Sequence, residues 1–399
     1  MIDNNINQVL QYLNEEELIT LVQKLISIPS YHGLPDNEKE LAEYINKYFE
    51  EEGIDSQLVN VTGERPNVIG SYGNNENYDK TLILNGHLDT VGIENMIIDP
   101  FKGYIQDGNI YGRGAVDMKG AVAAMIMALV VIKRAGIELE GGLYFTGVID
   151  EEYWNLGTKH IIKHGPKSKY AIVGEPTNLE IHNGHRGLEW IQVFVEGKYA
   201  HGGTPEKGIN AIEKMNKIIS EIVDNLLPDI KKRNHTITGP AALNLGVIKG
   251  GTQPSTVAGD CILQLDRRWI PGESPESITD EIKEIIKKLQ KDDPELKGEV
   301  SIMRNEGNDE GFPYLVCESS AKIVQSLMEA TSNIMNSAKI SYFPAWTDGA
   351  LLSHIGGMET VVFGPGDLAS AHSEKEFCPI EDIINACKVY VYTILDICG

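Results

Sequence analysis

At 399 residues the chain is long for a single hydrophobic core and points to two domains. Its 58 acidic against 35 basic residues give a formal net charge of −23, which argues against nucleic acid or an anionic membrane as a partner, because both need a basic footprint. Five cysteines without any CxxC spacing indicate neither a disulfide framework nor a structural zinc knuckle, and buried free thiols are the simpler reading.

In chain order, residues 1–15 are polar and acidic and lack the basic and apolar regions of a signal peptide, so a cytoplasmic protein is expected. Residues 18–28 and 40–49 carry apolar side chains at helical spacing, with Leu41, Ile45 and Phe49 on one face. Short apolar runs at 81–84, 143–149 and 170–173 read as buried strands. Residues 118–135 read as a buried helix whose apolar run, 121–132, is too short to span a bilayer; Gly136 is its stop signal. The middle of the chain then changes character. Residues 188–196 alternate, 209–226 are helix-periodic, and 243–248 and 261–265 read as strands. Ser274-Pro275 is an N-cap followed by a proline in the first turn, opening a helix with Ile278, Ile282, Ile285 and Leu289 on one face. Residues 299–303 form a last strand, giving the β-α-β-β-α-β order of a ferredoxin-like unit. Residues 314–328 read as a helix, 360–363 as a strand and 381–397 as a closing helix. The expected architecture is an α/β domain with a central mixed sheet flanked by helices, built from 1–185 and 304–399. It is interrupted by an inserted ferredoxin-like lid at 186–303.

The chemistry sits after the apolar strands. One runs into Asn85-Gly86-His87-Leu88-Asp89-Thr90, the next into Asp150-Glu151-Glu152, the next into Gly174-Glu175-Pro176, and the last into Gly364-Pro365-Gly366 and on to His372. Ligands of open α/β sheets bind outside the carboxyl ends of the strands, so these residues meet at one rim. Asp117, in Gly112-Arg113-Gly114-Ala115-Val116-Asp117-Met118-Lys119-Gly120, joins them at a helix start. A His, Asp and Glu set without cysteine suits zinc, cobalt or manganese. Two histidines and three carboxylates suffice for two divalent ions if one carboxylate bridges. The adjacent acids Glu151 and Glu152 repel unless a cation or a proton separates them, so one can bind metal while the other shuttles a proton.

At these residues the sequence resembles the metallohydrolase family of acetylornithine deacetylase, succinyl-diaminopimelate desuccinylase, aminoacylase and glutamate carboxypeptidase. The carrying stretches also include His201-Gly202-Gly203-Thr204-Pro205 and Ala371-His372. The resemblance implies a zinc-peptidase-like catalytic domain with two metal ions, most simply Zn²⁺, with Co²⁺ or Mn²⁺ as alternatives. His87 and Glu175 would bind one ion, Glu152 and His372 the other, and Asp117 would bridge. Asp89 would orient His87 by a hydrogen bond, Glu151 would be the general base, and the Asp117–Met118 peptide would be cis. His201 would stabilise the oxyanion from a partner subunit, which implies a homodimer joined through the lid. Arg186 and Arg268 would bind a substrate carboxylate, and Thr347 would touch substrate. Ser255 stands where relatives often carry asparagine, and Ala258 where they carry proline, so contacts at that point depart from the pattern. Glutamate at 175 favours removal of an acyl group from an N-acyl amino acid; a carboxypeptidase or dipeptidase acting on short peptides is the alternative.

Rival chemistries lack their motifs. Asp117 occupies the third-glycine position of a dinucleotide fingerprint, and neither GxSxG nor HExxH occurs. A metal-free scaffold that kept the fold would be expected to lose Glu151 or a ligand, and all are present.

Overall fold

The computed structural model describes residues 2–304 and 311–399; positions 305–310, at the expected return from the lid, lie outside the described residues. The chain forms two compact units, Met1–Gly184 with Leu315–Gly399, and His185–Tyr314.

The first unit is built on a nine-stranded mixed sheet. At its centre the strands Gly142–Val148, Leu82–His87, Tyr170–Val173 and Glu359–Val362 lie side by side and parallel. An antiparallel hairpin, Asp55–Thr62 and Arg65–Gly73, extends one side, and Ile181–His185 adds antiparallel on the other. Both faces of the central strands are buried, and successive side chains serve different cores. Leu82, Leu84, Leu143, Phe145 and Ile172 face the main core, whereas Ile83, Tyr144, Ala171 and Val173 pack with Leu352 and Met358 on the reverse face.

The main core is organised by the helix Gly120–Arg134, which packs against the C-terminal helix Ile380–Cys398. The stretch Ala115–Arg134 has the length and hydropathy of a membrane span, yet every residue of its most apolar window is buried inside the protein. Its alanines let the sheet and the neighbouring helices approach closely, so here apolarity all round marks a core helix.

The second unit is a four-stranded antiparallel sheet in the order Ala242–Gly250, Asp260–Trp269, Gly187–Glu196, Lys297–Ile302. Ile191, Val193 and Val195 point to one face and pack with Met215, Ile218, Ile278, Ile282 and Ile286 from two helices. The element order is β-α-β-β-α-β. Ser274 caps the helix Pro275–Asp292 reciprocally: its hydroxyl accepts the Ser277 N–H at 3.1 Å, and its own N–H donates to the Ser277 hydroxyl at 2.8 Å.

Several local expectations change. No helix starts at 314: Leu315–Val316 joins the main sheet, and the helix begins only at Lys322 and runs to Met335. The polar Glu318-Ser319-Ser320 separates two apolar runs that periodicity alone had merged. The helix expected over 209–226 is α-helical only from Ala211 to Glu221, and then widens into a π turn over Ile222–Leu226. The hairpin 55–73 gave little sequence signal because its outer strand is half exposed and rich in polar residues.

Candidate metal centre

Because the four central strands are parallel, their carboxyl ends lie at one rim of the first unit. His87 ends its strand there, Asp150-Glu151-Glu152 follows Val148, Glu175 follows Val173, and the chain beyond Val362 leads to His372. Asp117 comes from the kinked segment Ala115–Lys119 that leads into the core helix, where its backbone is not helical, and its peptide bond to Met118 is cis.

These side chains converge. Asp117 stands between the two imidazoles: His87 Nε2 lies 2.9 Å from its Oδ1, and His372 Nε2 lies 3.1 Å from its Oδ2. His372 Nε2 is also 3.1 Å from Glu152 Oε1, and His87 Nε2 is 3.9 Å from Glu175 Oε1. Ligand atoms of His87, Asp117 and Glu152 lie close enough to share one ion, and so do those of His87, Glu151 and Glu175. Glu151 therefore stands within metal reach, not only at the distance of a proton carrier.

The electrostatics state what the cluster needs. Burial pushes the carboxyl groups of Glu151 and Glu175 well above their usual range, and neighbouring acids push them further, Glu175 on Glu151 and Asp117 on Glu175. Burial opposes charge on His87, but the hydrogen bond and negative charge of Asp117 outweigh it and hold the imidazole protonated. Asp117 and Glu152 lift His372 to about 10. Asp117 itself stays ionised despite burial, because both imidazoles bond to it. Left to protons alone, the cluster balances by charging both histidines and neutralising two glutamates. Divalent cations would meet the same demand, and the nitrogen and oxygen donors with no thiolate fit zinc, cobalt or manganese. A carboxylate whose two oxygens face different imidazoles fits a bridge between two ions.

Asp89 departs from the expected role. His87 Nδ1 lies 2.8 Å from the main-chain carbonyl of Asp89 and 3.7 Å from its carboxylate, too far for a hydrogen bond. The buried carboxylate instead accepts the backbone N–H groups of Glu151, at 3.1 Å, and Glu152, at 3.0 Å. It thereby sets the position of the acid pair. Asp150, just before them, has φ +70° and is held by Arg65, which also grips the buried Glu38.

Sequence reading passed over a second tier of residues. Glu376 and Arg113, both fully buried, form an ion pair at 2.6 Å. The other oxygen of Glu376 accepts the N–H groups of Val116, at 3.1 Å, and Asp117, at 3.2 Å. Arg113 also donates to the Gly92 carbonyl and to Asn95 Oδ1, and Asn95 Nδ2 donates to the carbonyl of His372. One network thus joins the segments that carry His87, Asp117 and His372. The only sequence hint was the acid four residues after His372. Asp348 was likewise unweighted. It is buried, accepts hydrogen bonds from Asn155 and Thr158, and is pushed up to about 6 by burial.

The remaining expected site residues have partners of their own. Thr347 is fully buried, and its hydroxyl accepts the N–H of Gly349. His201, Ser255, Arg186 and Arg268 belong to the second unit. His201 is exposed; its Nδ1 accepts the Gly203 N–H, and its loop is tied to that of Ser255 by a Gly202 N–H to Ser255 carbonyl bond of 2.8 Å. Arg186 donates to the Pro240 carbonyl. Arg268 is held by both oxygens of Asp266, at 2.7 and 3.1 Å, so its charge is already matched within the unit.

Comparison with known proteins agrees with this geometry. Residues 83–396 match peptidase family M20/M25/M40. The chain is 31% identical to the N-formyl-4-amino-5-aminomethyl-2-methylpyrimidine deformylase of Halalkalibacterium halodurans, covering 96% of this chain and 95% of that one. It is 28% identical to the acetylornithine deacetylase of Myxococcus xanthus, covering 84% and 85%. Among solved structures, aminopeptidase PepT from Bacillus cereus superposes with a TM-score of 0.79 at 21% identity, over 97% of this chain and 99% of that one.

Replacing Glu376 by Gln keeps the shape but leaves Arg113 as an unpaired buried charge, a change that costs roughly 3–5 kcal/mol. The variant is expected to melt earlier and to hold divalent metal about 10–100-fold more weakly, as loss of a ligand-orienting partner does. Calorimetry and titration of metal-stripped protein against a competing chelator measure both. Unchanged metal affinity would show that the network does not position the ligands.

Proposed function

This chain belongs to peptidase family M20/M25/M40, and from that premise we propose that it is a metal-dependent amidohydrolase that removes an acyl group from a small N-acyl amino acid. That the enzyme hydrolyses amide bonds follows from the family, whose members are dinuclear metal enzymes. The observation that carries the reading is Asp117, with each carboxylate oxygen turned to a different imidazole. In this proposal His87 and Glu175 hold one ion, Glu152 and His372 the other, and Asp117 lies between, with zinc as the first candidate and cobalt or manganese as alternatives. Such ions, when bound, supply Lewis-acid activation of water and of the amide carbonyl.

The chain's own residues do the rest. Glu151 takes a proton from the attacking water and returns it to the departing amine. Burial raises this carboxyl well above its usual range, so it takes up a proton more readily than an exposed glutamate. Asp89 holds Glu151 and Glu152 in place through their backbone N–H groups. His201 donates to the developing oxyanion, and Arg186, Arg268 and Ser255 contact the substrate, the arginines through its carboxylate. Deacylation is favoured over peptide cleavage by glutamate at 175, and both relatives named above are deacylases. A carboxypeptidase or dipeptidase acting on short peptides is the second reading.

We further place the enzyme in the cytoplasm, consistent with its five buried free thiols, as a homodimer joined through the second unit. The strand Ala242–Gly250 is an edge of that unit's sheet and carries Val247 and Ile248, 37% and 56% exposed, with Ile212 exposed on the preceding helix. An apolar edge of this kind is normally covered.

Three outcomes test the proposal. Amine release over N-acetylornithine, N-succinyl-diaminopimelate, other N-acyl amino acids and dipeptides, with zinc, cobalt or manganese added, is expected to be fastest on an N-acyl amino acid and absent after chelation. Faster turnover of dipeptides would favour the peptidase reading. Glu151→Ala is expected to keep its metal content and its melting temperature while turnover drops about 10²–10⁴-fold; near wild-type turnover would remove the proton-carrier role. Inactive His201→Ala and Glu151→Ala proteins, mixed and allowed to exchange subunits, are expected to regain activity through hybrid dimers with one intact site. A mixture that stays inactive while exchange is demonstrated would refute sharing across subunits.

A further inference from the structure

Away from the acidic cluster, the helix Leu156–His164 carries His160 and His164 one turn apart. Residues four apart on a helix face the same way, and here the two rings lie 4.8 Å apart between centroids, tilted by 46°. That spacing is how one helix offers two nitrogens to a single ion. The pair lines a cavity of about 500 Å³ together with Asp55, Ser56, Asn75 and Tyr144, from the neighbouring hairpin, its following loop and an adjacent strand.

Three features call for a ligand there. First, Nδ1 of His160 is shielded from solvent and has no hydrogen-bond partner, and an unmatched buried polar atom costs on the order of 1–3 kcal/mol. Second, burial, the neighbouring His164 and Lys163 depress the pKa of His160, which keeps it in the neutral form that binds metals. Third, both histidines lie toward the C-terminal end of a nine-residue helix, where the macrodipole favours a cation. Asp55, on the hairpin, lines the same cavity.

We propose that His160 and His164 form a second metal site, separate from the acidic cluster, that takes a single borderline transition-metal ion such as Ni²⁺, Cu²⁺ or Zn²⁺. Two imidazoles supply the nitrogen donors, and water the oxygens. The ion would brace the last turn of the helix, so its consequence is a gain in stability with no part in amide hydrolysis.

The test uses the full-length protein stripped of metal and Ni²⁺ as the probe. In equilibrium dialysis the wild type is expected to bind one equivalent more than His160→Ala/His164→Ala, and its melting temperature should rise further with added Ni²⁺ than that of the variant. His164→Asn, at an exposed position, guards against misfolding and is expected to show the same loss. Amide hydrolysis by the zinc-loaded variants should match the wild type. Equal Ni²⁺ stoichiometry and equal thermal shifts in wild type and both variants would overturn the site.

Discussion

The arrangement at the rim turns on one carboxylate. Asp117 is buried and ionised, with an imidazole on each oxygen and Glu152 and Glu175 just beyond. Burying so many acids in one place is unfavourable unless positive charge is brought among them. The rest of the first unit can be read as support for that requirement. The parallel strands end together, so acids from distant parts of the chain arrive at one rim. The buried pair of Arg113 and Glu376 then fixes the backbone on which Asp117 sits.

That support is layered. A helix buried on every side and a sheet buried on both faces give a platform that cannot adjust by small slides, because each strand's alternate residues are committed to different cores. The loops above it are therefore positioned by hydrogen bonds more than by packing. Asp89 holds two backbone N–H groups, Arg65 holds Asp150, and Asn95 reaches the carbonyl of His372. His372 adopts φ +57°, a conformation a non-glycine residue takes at some cost, and it persists where such bonds over-determine the backbone.

How much of this could be read from the sequence depended on range. A run of apolar residues ending in His87 or before Glu151 and Glu175 reveals both the strand and what it delivers, because the signal is local and repeats. The Ser274 cap was legible for the same reason. Hydrogen-bond partners were not. Nothing local distinguishes an Asp89 that bonds an imidazole from one that bonds two backbone N–H groups sixty residues away. Glu376 gains its importance from Arg113, which lies more than 260 positions earlier. Nor could the sequence show that the Thr347 hydroxyl accepts the Gly349 N–H or that Arg268 lies against Asp266. The helix at 322 was misplaced because periodicity cannot see that three polar residues separate a short strand from a helix.

The same cluster links metal, protons and folding in one balance. His87 and His372 hold protons firmly because Asp117 and its neighbours reward positive charge, and a metal must displace those protons to reach the same nitrogens. Affinity therefore weakens as the solution becomes more acidic, and metal uptake releases protons. Because the candidate ligands come from five separate stretches of chain, an ion that joins them also opposes their separation, so occupancy and stability of the first unit rise together. Acidity thus acts twice, by returning protons to the imidazoles and by removing the stabilisation that bound ions provide. Both effects trace to a carboxylate that the fold buries between two bases.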